Sequence, residues 1–258
     1  MPKRIFGAAS ALVSLCFPLI CLAALYIDDT STTRAGHFDL EFSVDYYKDI
    51  EKEFNEETEE YDKTIYKETC LTENIYYGLT ERWDVSAYLP YQFLNQTTYG
   101  KVNGFTDFTL ETKFRLIDER ENLPSFAMSY DLKLDNGNDI AGLGTGRKDH
   151  FINAIFTKSF ERNIFDFNFG YTFVGGAADD ILSCAFDWTY AFNERLYLCN
   201  EIYADTILRG TFDDNTLCAA SSISYDFNSF ISAELGVGFG ISKASPDYQY
   251  SGTITLSF

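Results

Sequence analysis

From residue 37 onward, apolar and polar side chains alternate. Phe38, Leu40, Phe42, Val44 and Tyr46 share one parity; Asp39, Glu41, Ser43 and Asp45 share the other. Successive side chains of a strand point to opposite faces, so this stretch has one apolar and one polar face. The period returns in Trp83, Val85, Ala87, Leu89 and Tyr91, and in Phe108, Leu110, Phe114 and Leu116. It returns again in Phe126, Met128, Tyr130 and Leu132, in Phe165 to Phe173, and in Leu182 to Phe192. Twelve strands are predicted: 37–48, 64–79, 83–92, 105–117, 124–135, 150–160, 164–175, 181–192, 196–207, 216–227, 230–242 and 249–258. Each is close to the roughly 9–11 residues that cross a bilayer as a tilted strand.

The connections choose between a soluble sandwich and a membrane barrel. Alternate ones are long (49–63, 93–104, 136–149, 176–180, 208–215, 243–248), and those between are short (80–82, 118–123, 161–163, 193–195, 228–229). Long loops on one side and tight turns on the other are the asymmetry of outer-membrane barrels. The fold expected is therefore all-β: a single antiparallel up-and-down transmembrane β-barrel of about 12 strands over residues 25–258. An even strand count closes the sheet and leaves no edge in hydrocarbon. Three residues break the parity: Lys67 and Glu73 in the second strand and Asn200 in the ninth. A β-bulge is expected to reset the register there. Lys158 also falls on the lipid side, near a periplasmic end where a lysine can snorkel.

Residues 1–24 read as a signal peptide. Lys3 and Arg4 precede the apolar run Ile5–Leu25, with small residues at Ala23 and Ala24. A single anchor helix is the competing reading, disfavoured by Pro18. Past residue 25 no run of about 18 apolar residues exists, so helical membrane spans are excluded there. Composition sharpens the picture: 17% aromatic, 46% hydrophobic, only 5 Pro, and a net charge of −19. Such a chain is not a disordered tail, and its acidity disfavours nucleic acid. Cys70, Cys184, Cys199 and Cys218 show no metal-ligand spacing. They lie on different strands and heights, so no bridges among them are expected.

The C-terminal strand ends in Phe258, with Leu256, Ile254 and Tyr250 at alternating positions, which resembles the assembly signal of outer-membrane barrels. Several motifs resemble one family, the transporter barrels labelled MetA-pathway of phenol degradation. They are Asp28-Asp29-Thr30 with Gly36-His37-Phe38 and Glu41; Tyr77-Gly78-Leu79-Thr80-Glu81-Arg82-Trp83 with Leu89-Pro90-Tyr91; Gly104-Phe105-Thr106-Asp107-Phe108 with Lys113-Phe114-Arg115-Leu116; and Gly142-Leu143-Gly144-Thr145-Gly146 before Asp149. Two departures are Leu134-Asp135-Asn136-Gly137, where the family usually carries a proline, and the acidic stretch 49–62. The resemblance implies an outer-membrane channel for hydrophobic or aromatic compounds.

His37 begins the first strand and His150 the sixth. Asp149-His150-Phe151-Ile152-Asn153 carries no Ser two residues on from the histidine, so a barrel hydrolase is disfavoured and no enzyme is expected. Acids are plentiful enough for an Asp/His protease barrel, but nothing pairs them specifically. The glycines of 142–146 lack the context of a phosphate loop and read as a flexible or tightly turned loop. No metal or cofactor site is read. By parity the inward acids are Asp39, Glu41, Asp45, Glu68, Asp84, Asp107, Glu111, Asp131, Asp135, Asp166, Asp187, Glu201, Asp205, Asp226 and Glu234. The inward bases are only Lys113, Arg115 and Lys133, placed to pair with Glu111 and Asp131. The function expected is an outer-membrane channel whose acidic lumen favours cations or neutral solutes over anions. The alternatives are a closed barrel with a structural or adhesive role, and, behind it, the hydrolase. Expected partners are outer-membrane lipid and lipopolysaccharide, the barrel assembly machinery and a small-molecule substrate.

Overall fold

The structure, a computed structural model, describes residues 27–55, 60–96 and 100–258. The expected signal peptide lies outside them. Among the described residues there are thirteen strands: β1 Phe38–Asn55, β2 Glu60–Thr80, β3 Trp83–Gln96, β4 Gly100–Phe105, β5 Thr109–Ile117, β6 Ser125–Lys133, β7 Asp149–Phe160, β8 Asn163–Phe173, β9 Ile181–Ala191, β10 Leu196–Ile207, β11 Thr216–Asp226, β12 Ile231–Gly240 and β13 Tyr248–Ser257. Neighbours in sequence pair antiparallel, except β4 with β5, and β13 returns to β1 from Asp39↔Ser257 to Lys48↔Tyr248, closing the sheet.

β4 and β5 share one place in the wall. Both pair with β3, Tyr91 facing Phe105 and Tyr88 facing Thr109, so residues 106–108 stand against Leu89 and Pro90 alone. This corrects the expected single strand 105–117. Pro90 has no N–H to give the ladder, and its carbonyl accepts the Thr106 N–H at 3.0 Å. The wall bulges there, and the barrel has twelve strand positions.

A second correction concerns the acidic stretch. The expected loop 49–63 is mostly strand: β1 and β2 stay in register from Asp49↔Tyr66 to Asn55↔Glu60. β13 stops at Lys48 and β3 at Tyr66, so the hairpin continues as a two-stranded ribbon beyond the wall. A third correction is that no bulge resets the register at Lys67, Glu73 or Asn200. Glu73 faces Phe42 and Leu89 in unbroken ladders, and Lys67 and Glu73 are exposed on the outward side. Asn200 is satisfied within the wall: it accepts from Ser221 Oγ at 2.9 Å and donates to the Trp188 carbonyl at 3.4 Å. Register is held by the whole face, so one misfit residue does not shift it. Lys158 does not reach freely into water either. Its ammonium meets Glu119 Oε1 at 2.9 Å and the Arg120 carbonyl at 2.6 Å, over the Phe160 ring.

The interior is polar. Among described residues 26 polar or charged side chains are buried against nine apolar ones. A water-soluble domain buries the opposite set. Outside, Phe42, Leu71, Phe114, Phe186 and Leu235 are exposed, with aromatic girdles at both rims. Phe38, Trp83, Phe160, Phe192 and Phe230 mark the turn side; Phe105, Phe173, Phe239 and Tyr248 mark the loop side. This is the distribution that lipid solvates and water does not.

Phe258 completes the seam. Its N–H donates to the Phe38 carbonyl at 2.8 Å, and its carbonyl accepts the Phe38 N–H at 3.2 Å and meets His37 Nδ1 at 2.6 Å. Leu256, Ile254 and Tyr250 sit opposite Leu40, Phe42 and Tyr46 of β1. Deleting Phe258 should lower the amount of protein in the outer membrane that runs as the compact, unboiled form on gels. Wild-type levels of that form would refute the role given to the terminus.

Candidate functional site

Alternation along the strands builds the wall of the lumen. Inward carboxylates fall beside one another across strands: Asp166 pairs with Asp187 and Asp187 with Glu201, while Glu111 pairs with Asp131. Asp45, Glu68, Asp84, Glu111, Asp166, Asp187 and Glu201 are buried; Asp39, Glu41, Asp131 and Glu234 are partly so. Several are bonded locally. Glu41 accepts from Asn74 Nδ2 at 2.7 Å, Glu68 from Gln92 Nε2 at 2.5 Å, and Glu111 from Ser86 and Tyr88.

The three inward bases do not pair as the sequence suggested. Lys113 meets Asp28 Oδ1 at 2.8 Å. Arg115 turns to the turn-side rim, where it meets Asp118 at 3.3 Å and the Glu81 carbonyl at 2.7 Å. Lys133 sits in the opposite mouth, 2.8 Å from Asp149 and 3.3 Å from Asp107. Flexible side chains choose partners from loops and termini, which strand parity does not place.

Asp107 is the clearest case. Parity made it lumen-lining, but it occupies the break between β4 and β5 and binds a loop. It accepts from Gly137 N at 2.8 Å, Thr145 N at 2.7 Å and Thr145 Oγ1 at 3.0 Å. The loop between β6 and β7 is thereby folded tightly over the mouth. Leu143 is buried at 5% exposure, and Gly137 passes so close that an added Cβ would lie 2.1 Å from the Leu143 carbonyl. Gly142 and Gly146 take φ of 75° and 62°, which only glycine adopts at little cost. Of the two loop types considered, this is the tightly turned one. Asp135 is not lumenal; it is half-exposed on the rim, 3.8 Å from Lys148. On the same rim Asp180 accepts from the Val174 N–H and Tyr171 Oη, which hold its carboxyl below the usual range.

Strand reasoning missed the segment before β1, which runs inside the barrel. Asp28 exchanges bonds with Asn168: its N–H donates to Oδ1 at 3.1 Å, and its carbonyl accepts from Nδ2 at 2.7 Å. The Thr30 N–H donates to Thr157 Oγ1 at 3.0 Å, and Thr30 Oγ1 meets Ser125 Oγ at 2.6 Å. The Thr33 N–H donates to Asp84 Oδ2 at 2.8 Å. The strap leaves over Gly78, whose carbonyl accepts the Gly36 N–H at 2.8 Å; a Cβ on Gly78 would lie 2.2 Å from the Arg34 carbonyl. The signal for it was the polar, non-alternating Asp28–Thr33 ahead of the first strand.

His37 is committed to the seam, and His150 Nδ1 meets Tyr130 Oη at 2.7 Å on the outer face. Cys184, Cys199 and Cys218 carry free thiols.

The sequence matches the family described as "Putative MetA-pathway of phenol degradation" over residues 31–258. The chain belongs to this family. The COG4313 outer membrane channel from Pseudomonas putida F1 superposes with a TM-score of 0.72 at 16% identity, over 91% of this chain and 100% of that one. The KdgM porin, in complex with disordered oligogalacturonate, gives 0.56 at 8% identity over 85% and 99%. The CymD monoaromatic hydrocarbon channel gives 0.50 at 9% over 86% and 88%. No curated protein matches the sequence. These likenesses give the architecture as that of a bacterial outer-membrane β-barrel.

Proposed function

We propose that the protein conducts small solutes across the outer membrane, preferring cations and neutral molecules to anions. The observation that supports this most is the lumen itself: a closed wall, apolar outside, with acids inside that far outnumber bases. Low-dielectric walls focus such a field along the axis and exclude anions. Likeness to the CymD channel, and the family to which the chain belongs, support aromatic or hydrophobic compounds as the neutral class. The acidic lumen argues against polyanions such as the oligogalacturonate of the KdgM complex. Membership of the outer membrane supplies lipid and lipopolysaccharide as surroundings, and the C-terminal seam strand is the element we assign to recognition by the assembly machinery.

One observation favours a second reading: the strap fills part of the lumen, as a barrel with a purely structural role would tolerate. Reconstitution into planar bilayers separates the two. Discrete conductance steps are expected from the purified protein, and a silent, correctly folded barrel would establish the structural role.

A further inference from the structure

On the outer face, lysines gather on one sector of the barrel and at one height. A row of direct ladder neighbours runs Tyr248, Lys48, Lys67, Asn95 and Lys101 across β13, β1, β2, β3 and β4. Lys48 holds the outward parity of β1, and its ammonium stands 6.0 Å from the centre of the Tyr248 ring, in the loop-side girdle. Lys67 and Lys101 are exposed. Four residues farther out along the ribbon, the register sets Lys52 opposite Lys63. Positions four apart on a strand share a face, so this second pair continues the first, with Ile50 opposite Ile65 between them. The acids Asp49, Glu51, Glu53, Glu60 and Asp62 hold the opposite parity.

The rest of the outer face is nearly free of charge. Among the described residues, the outward positions of β5 to β13 carry only His150 and Lys158 as basic side chains, Lys158 at the turn end. The one acid outward on β1 to β4 is Glu73, six residues nearer the turns than Lys67 and so about 20 Å away along the strand. Like charges directly opposite one another destabilise a ladder. Lys113, Lys133, Lys148, Lys158 and Lys243 each meet a carboxylate, but among the described residues none pairs with Lys48, Lys67 or Lys101. Aromatic girdles sit at the headgroup level of a membrane. The row is level with Tyr248, and Phe93 and Tyr250 are exposed just below it. These lysines therefore stand beside the headgroups of the outer leaflet. The net charge of −19 makes general attraction of anions no explanation for them.

We infer that the outward face of β1 to β4 binds the phosphates of lipopolysaccharide, through Lys48, Lys67 and Lys101, with Lys52 and Lys63 placed for a second phosphate farther out. Ammonium groups meet phosphate oxygens in charge-assisted hydrogen bonds. The two lysine pairs are about 13 Å apart along the strands, which suits a headgroup carrying more than one phosphate. Ile50, Ile65 and the girdle rings offer apolar surface beside the charges. Outer-membrane placement is what this requires. Conduction is not, so a silent barrel would bind the glycolipid equally well.

The test uses purified full-length protein in neutral detergent, titrated with fluorescently labelled bisphosphorylated lipid A and with the same lipid after enzymatic removal of its phosphates. The wild type should bind the phosphorylated form about tenfold more tightly, and Lys48→Gln/Lys67→Gln/Lys101→Gln should lose about that factor. Lys148→Gln/Lys243→Gln, on loop-side lysines outside the row, should bind as wild type. Arginine at the three positions should retain binding, because guanidinium also takes phosphate. Each variant is first checked for the compact unboiled form on gels, and if the triple glutamine variant lacks it, Lys67→Gln alone should weaken binding about threefold. Equal affinity for the two lipids, or for wild type and the glutamine variants, would overturn the inference. Displacement of the lipid by an equal concentration of inorganic phosphate would also overturn it, by showing a site for the free ion. So would lipid-free dimers that the lysine substitutions dissolve, since the acidic side of a second copy would then be the occupant.

Discussion

Deleting residues 28–34 should raise the single-channel conductance several-fold without unfolding the barrel. The segment lies inside the wall, bonded to Ser125, Thr157, Asn168 and Asp84, and contributes no strand to the sheet. Its removal exposes groups that water satisfies, so the ladder stays intact. Lys113→Met should act in the same direction, more weakly. The Lys113–Asp28 pair, at 2.8 Å, is the one ionic contact of the strap with the wall among the described residues. Without the ammonium, Asp28 and Asp29 lie beside Glu111 and Asp84, and like charges repel. Gly78→Val should also displace the strap, since its side chain would occupy the crossing point at Arg34. Bilayer recordings read all three. Conductance unchanged by the deletion would mean that solutes do not share the lumen with this segment.

Lys133→Ala should be the most destabilising substitution at the extracellular mouth. Its ammonium stands between Asp149 at 2.8 Å and Asp107 at 3.3 Å, and also meets Thr145 Oγ1 and the Arg147 carbonyl. The lysine and both aspartates are largely buried. Removing one partner of a buried ion pair leaves uncompensated charge, at a cost of about 3–5 kcal/mol. The loop 134–148 loses its central tie, and the temperature at which the compact gel form converts to the unfolded form should fall by several degrees. An unchanged transition would show that the backbone bonds of Asp107 to Gly137 and Thr145 hold the loop alone.

How much was legible follows the reach of each signal. Period-two alternation gave strand number, closure and the inward or outward sense of most wall residues, because the pleat couples neighbours directly. Asp187 and Glu201, on the polar parity, are buried, and Glu234 is partly so. It failed where backbone leaves the ladder. Asp107 carries inward parity, yet Pro90 breaks the strand beside it and frees it to bind a loop. Arg115 and Lys133 were placed on the right strands but given the wrong partners. Asp118 and Asp149 lie at strand ends, beyond what a strand-by-strand count reads. The ribbon of β1 and β2 was hidden by its charge: acids read as a solvated loop, though Ile50, Phe54, Tyr61 and Ile65 keep the alternation. The strap has no period to reveal it, and only tertiary contacts show that it lies within the barrel.

The central claim is an open, acidic lumen that admits cations before anions. Reversal potentials of the purified wild-type protein under a potassium chloride gradient test it most directly. The account predicts a reversal potential shifted toward that of potassium, weakening as salt rises and screening shortens the reach of the carboxylates. A reversal potential on the chloride side would contradict it, and would mean that the inward acids do not face the path that solutes take.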